Sequence, residues 1–328
     1  MRRNARMRRG VTAAALLIAA AVGGSLVAGC STGGGSPDGR DEQQSRPPGD
    51  GGRTSAPPTG PVLAVKIDNV PAARPQTGLE QADVIYAEQV EGGLSRLMAV
   101  FATKLPKVVG PVRSARESDL ELLRQFDEPT LAFSGAQHKL LPLIDKAPLT
   151  PEPPEKNTGA YFRGSGRAAP HNLYLRPRLL MASPPGAAAL TTGFRFGAAP
   201  AGGTPQTTRT VRFPSARFTF TWSAGQHRWR VTMDGTPTVT TDGARVAPAT
   251  VVVQYVRVRA SRFHDVLGSN SPYSETVGSG KADVLRDGRV FHVDWRRASA
   301  EDGTRFTAAD GRPMTFARGQ VWVVLARA

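Results

Sequence analysis

Apolar positions fall into distinct regimes along the chain. Val11 to Val22 is an alanine-rich apolar run. Residues 31–60 hold almost no apolar side chain and consist of Gly, Pro, Ser and charge, a composition that cannot bury enough surface to fold. From Pro61 onward, segments of strand length appear: Pro61 to Asp68, Asp83 to Glu91 closed by Gly92-Gly93, Leu94 to Thr103, and Thr130 to Ser134. The second and third are joined as a hairpin. Ser114 to Phe126 reads as a helix with Leu120, Leu123 and Phe126 near one face, and His138 to Ile144 and Asn172 to Met181 read as two more. After a Pro/Gly/Ala/Thr connector at 184–209 the pattern is nearly all β. ARFTFTW and HRWRVTM flank a tight turn, TVVVQYVRVRA is one long strand, ADVL and RVFHVDW join across Asp-Gly, and QVWVVLA closes the chain.

This order predicts an α+β protein, with a mixed α/β N-terminal domain at 61–183 and a mainly antiparallel β C-terminal domain at 210–328. The run at Val11 is shorter than the roughly 20 residues that span a bilayer. Arg2, Arg3, Arg6, Arg8 and Arg9 precede it without an acid, which makes residues 1–29 a secretory signal. Leu26-Val27-Ala28-Gly29 before Cys30 is the lipobox pattern for cleavage ahead of a lipidated cysteine. Cys30 is the single cysteine of 328 residues, so the mature chain has no internal disulfide and no thiolate metal site. Residues 30–60 then form a lipid-anchored spacer, spanning on the order of 30 Å if flexible. The expected location is the extracytoplasmic face of the cell membrane.

Charge changes the choice of partner. Without the five arginines ahead of Cys30, 37 of the 42 basic residues remain against 27 acidic ones, a charge of +10. On an exported chain the natural counterparts are anionic headgroups, wall polymers, acidic small molecules or envelope proteins, and nucleic acid is not expected. Arginine-rich, Gly/Ala/Pro-rich composition also follows from a high-GC genome, and the two explanations weigh about equally.

Candidate chemistry gathers in the N-terminal part. In Gly110-Pro111-Val112-Arg113-Ser114-Ala115-Arg116-Glu117, Ser114 and Glu117 have capping-box spacing, which predicts a helix start at Ser114. Arg113 and Arg116 lie at that end, where helix polarity disfavours cations unless something negative joins them. They bind either an exogenous carboxylate or phosphate, or internal acids such as Asp68, Asp83 or Glu91. Asp68 and Asn69 end the first strand, Arg74 follows in its loop, and Thr77 to Glu80 is a second capping-box spacing. Glu88 interrupts an apolar face made with Val84, Tyr86 and Val90, and alternation puts Glu91 on the opposite face. His171, at the start of the Asn172 segment, and Glu91 are the candidate catalytic bases. No nucleophile elbow, zinc helix, P-loop or paired-cysteine motif is present, so no cofactor or metal is expected.

Together KIDN, ARPQTGLEQADVIY, VEGGLSRLMAVF, GPVRSAR and APHNLY, with the β segments through GRPMTFARGQVWVVL, resemble the YerB-like bacterial lipoproteins, which carry a two-part domain of unknown function. The resemblance covers roughly residues 61–326 and implies an envelope location and a two-part plan, without an activity. The leading expectation is a non-enzymatic envelope lipoprotein whose ligand site uses Arg113, Ser114, Arg116, Arg74, Asp68 and Asn69. The alternative is a wall-directed hydrolase or transferase with His171 or Glu91 as base and the arginines as a clamp.

Overall fold

The computed structural model describes residues 60–265 and 268–328, which belong to the unit Ser55–Ala328. The signal, Cys30 and all but the end of the spacer lie outside them. Strands β1 (Leu63–Asp68), β2 (Val84–Gln89) and β3 (Ser95–Phe101) come first, then helix α1 (Glu117–Leu123), β4 (Thr130–Ala132), α2 (Leu141–Lys146) and β5 (Thr150–Glu152). A small hairpin follows, β6 (Tyr161–Arg163) with β7 (Leu173–Leu175). The 184–209 connector supplies two short strands, β8 (Arg195–Phe196) and β9 (Thr204–Pro205). Next come β10 (Thr208–Phe213), β11 (Ala216–Ser223), β12 (Arg228–Met233), β13 (Thr236–Pro237) and β14 (Thr250–Val256). The chain finishes with β15 (Val258–His264), β16 (Asn270–Ser274), β17 (Gly278–Arg286), β18 (Arg289–Arg297), β19 (Arg305–Ala308), β20 (Thr315–Phe316) and β21 (Val321–Arg327).

One mixed sheet runs β19-β18-β17-β14-β21-β2-β3-β1-β4-β5, with β9 added on β18. The last strand, β21, lies parallel between β14 and β2, so strands from both sides of the connector share this sheet. Strands at its centre are buried on both faces, which is why β1, β2 and β21 read as nearly continuous apolar runs. On one face a second sheet, β10-β11-β12-β13, brings Phe218, Phe220, Trp229 and Val231 onto Val65, Ile85, Leu97 and Trp322. The other face carries the helices, with Leu122, Leu123, Phe126 and Ile144 packed over Ala64, Tyr86, Met98 and Val100. The β17–β18 turn, Asp287 and Gly288, has φ of 51° and 70°, as a two-residue hairpin turn on Asp-Gly requires.

Among the described residues the protein is mostly β with two short α-helices, and several expected elements differ. The helix expected from Ser114 begins at Glu117, because Arg113 is drawn into extended pairing with Lys66 and Ser134. Asp119, three residues after Arg116, reaches back to cap the Arg116 N–H, which displaces the Ser114/Glu117 box. The expected helix at Asn172 is instead β7 and a turn, Pro177–Leu179: Leu173 and Leu175 alternate into the core, and Arg176 precedes a proline. The strand TVVVQYVRVRA breaks at Arg257. There its neighbour β21 runs out, and β15 leaves to pair with β16 alone. The second capping box, at Thr77, is absent: the turn Leu79–Gln81 has Gly78 at its start, and the Thr77 hydroxyl meets that of Thr241.

Candidate functional site

The sheet order creates the site. With β3 between β1 and β2, Arg96 stands directly across from Asp68 on one side and Glu88 on the other, on the face covered by α1. Lys66 and Glu88, both charged on otherwise apolar faces, meet beneath that helix. The Lys66 ammonium contacts Glu88 and lies 2.6 Å from Asp119 Oδ1. Ser118 donates to Glu88 Oε2 at 2.8 Å, and Asp119 Oδ2 accepts the Arg116 N–H at 2.7 Å. All four side chains are buried. This network fastens the start of α1 to the sheet and thereby fixes where Arg116 points.

Above it opens a cleft of about 570 Å³, within the range that admits a small ligand. Its polar wall is Asp68, Glu91, Arg96, Arg113, Ser114 and Arg116; Val70, Leu94, Leu140 and Phe263 supply apolar surface. The β15–β16 arm contributes Phe263, His264 and Ser271 from a part of the chain far from GPVRSAR.

The three arginines are not equivalent. Arg116 is spent on Glu91, with Nε to Oε1 at 2.6 Å and Nη2 to Oε2 at 2.8 Å, and Ser271 also donates to that carboxylate. Burial by itself would raise Glu91, but the Arg116 hydrogen bonds and charge outweigh it and hold the carboxyl at about 2. A carboxylate so weakly basic and with both oxygens engaged is poorly suited to general-base work at neutral pH. Arg113 Nε lies 3.3 Å from Asp68 Oδ2, the oxygen that also takes His171 Nδ1 at 2.8 Å.

Arg96 differs from both. Its Nη1 donates to the Ser114 carbonyl at 3.0 Å, and among the described residues no carboxylate comes within 4 Å of it. Asp68 and Glu88, its cross-strand neighbours, are committed elsewhere. Burial, reinforced by repulsion from Arg116, lowers its guanidinium to about 9.

Of the sequence candidates, Arg113, Ser114, Arg116, Asp68 and Glu91 therefore line one cleft. Asp68, Glu91 and the two arginines are paired internally, as one of the two readings of GPVRSAR expected; Asp83 instead accepts the N–H groups of Ala102 and Thr103. Glu91 is on the helix side, contrary to alternation, because the turn Glu91–Gly93 interrupts the strand period. Asn69 is buried, donating to Ser95 and accepting from Gln76 and Arg74. Arg74 points away from the cleft, to the Asn69 carbonyl and to Asp234, 2.8 Å away. Arg96 had only one sequence signal: a charged residue alternating with Met98 and Val100 on an apolar face.

The fold and sequence together define the class. Residues 51–189 match the N-terminal domain, and residues 209–323 the C-terminal domain, of a family described as protein of unknown function (DUF3048); the chain belongs to that family. It is 24% identical over 282 residues to "Putative lipoprotein YerB" of Bacillus subtilis (strain 168), covering 80% of each chain. The crystal structure of the YerB protein from Bacillus subtilis superimposes with a TM-score of 0.68 at 21% identity, over 83% of this chain and 96% of that one.

Proposed function

We propose that this protein is an exported envelope lipoprotein, anchored through Cys30, that binds an anionic ligand in the cleft above α1 and does not transform it. The observation that carries the ligand reading is Arg96: a half-buried guanidinium facing the cleft with one carbonyl partner, attracted by Glu91 and Asp68 only from a distance, with no carboxylate within 4 Å among the described residues. Partly desolvating a charge without a carboxylate in contact is costly, and an arriving carboxylate or phosphate relieves that cost with charge-assisted hydrogen bonds. Arg113, held by a single 3.3 Å contact, is the second donor. Arg116 and Glu91 act as a fixed wall, and Asn69 and Arg74 as supports behind it. The lipid anchor is supported by the lipobox at Leu26 to Cys30 and by the name of the Bacillus relative.

Calorimetric titration of the purified protein with acidic wall-peptide fragments tests this reading. Arg96→Ala with Arg113→Ala is expected to abolish binding that the wild type shows. Equal affinity in the two proteins refutes the site.

A further inference from the structure

The outer face of the second sheet is built from arginine and threonine. No aspartate or glutamate occurs between Glu155 and Asp234. Strands β10, β11 and β12 turn Val211, Phe218, Phe220, Trp229 and Val231 inward. Alternation turns Thr208, Thr210 and Arg212, then Arg217, Thr219 and Thr221, then Arg228, Arg230 and Thr232 outward. Arg212 lies directly across from Arg217, and both are exposed. Like charges placed directly opposite in a sheet destabilise it. Neither guanidinium has an acidic partner within 4 Å among the described residues; Asp234 is turned to Arg74 and to the Arg217 N–H. Two other cross-strand arginine pairs differ: Arg286, opposite Arg289, is paired with Asp287, and Arg296, opposite Arg305, shares its strand face with Asp294, which itself pairs with Lys281. Thr210 and Thr219 are hydrogen-bonded across strands at 3.1 Å, adding hydroxyls to the same row.

We infer that this face binds a linear phosphodiester polymer that carries no bases. Planar guanidinium forks and hydroxyls both donate to phosphate oxygens, and arginine does so bidentately. Strands about 4.8 Å apart repeat the donors across a flat surface, which suits a chain of repeated charges. The outward set contains no aromatic ring on which bases could stack and no apolar side chain to enter a bilayer. The surface is separate from the cleft, which lies on the other side of the main sheet, so it stands or falls independently of Arg96.

Full-length protein in neutral detergent, titrated with labelled poly(glycerol phosphate), tests the inference. Arg212→Gln with Arg217→Gln is expected to weaken binding about tenfold at 0.1 M salt and to flatten the log–log salt dependence by roughly 0.7 per arginine that contacts phosphate. Its melting temperature is expected to hold or rise, since a repulsion is removed. Lys139→Gln with Lys146→Gln, an equal charge change on the helix face, is expected to leave binding intact. The inference is overturned if the arginine variant binds as wild type, or if the lysine variant loses as much. A lower melting temperature for the arginine variant overturns it too, as does equal arginine-dependent binding of oligothymidylate, polyglutamate or anionic vesicles.

Discussion

Lys66 is a buried cation whose removal leaves two acids behind. Its ammonium is fully buried, in contact with Glu88 and 2.6 Å from Asp119, and both carboxylates are themselves buried. Lys66→Met keeps most of the side-chain volume and deletes only the charge. Removing one partner of a buried ion pair costs about 3–5 kcal/mol. Here the orphaned groups face each other, so the upper part of that range, about 4–5 kcal/mol, applies. Urea unfolding at pH 7 measures it. Adding Asp119→Asn removes one of the two orphaned charges, so the double variant is expected to lose less than the sum of the singles, with a coupling of about 1–3 kcal/mol. A cost below about 1 kcal/mol, or strict additivity with Asp119→Asn, refutes the view that this network pins α1 to the sheet.

Other consequences are more local. Glu91 has its folded value lowered from 4.5 to about 2, so its contribution to stability is complete above about 4.5 and is lost as pH falls toward 2. Acid titration of Glu91→Gln should lack that part of the decline, and an identical acid profile contradicts the pairing with Arg116. Gly93 has φ +70°, and a Cβ there would come within 2.5 Å of Pro214 Cβ. Gly93→Ala is therefore expected to cost at least about 2 kcal/mol in chemical denaturation, combining backbone strain with the clash. Cys30→Ala should appear in the soluble fraction or keep its signal; a processed, wild-type-sized, membrane-bound species contradicts anchoring through Cys30.

Local pattern was enough for the strands and hairpins. Apolar runs located β1, β2, β3 and β21, and Asp-Gly located the β17–β18 turn. Long-range order was not legible. Nothing in QVWVVLA says that it inserts between β2 and β14, and the break at Arg257 depends on where β21 ends. The same holds for the site. Glu88 stood out as a charge on an apolar face, but only the order β1-β3-β2 makes Lys66 its partner. Capping statistics favoured Ser114, and a tertiary contact decided otherwise: Asp119, gripped by Lys66, is positioned to cap Arg116. Arg96 was the hardest to recognise. Its importance lies in having no acidic partner, which appears only once Asp68 and Glu88 are seen bound to other groups.

The central claim is that Arg96 is a charge awaiting an anion, and thermal unfolding of Arg96→Met tests it most directly. Without ligand, the variant should melt at or above the wild-type temperature, because a half-buried cation without a carboxylate in contact has been replaced by an apolar side chain. Phosphate added at constant ionic strength should raise the wild-type melting temperature by mass action and leave that of the variant nearly unmoved. A variant that melts lower than wild type yet still responds fully to phosphate contradicts the account.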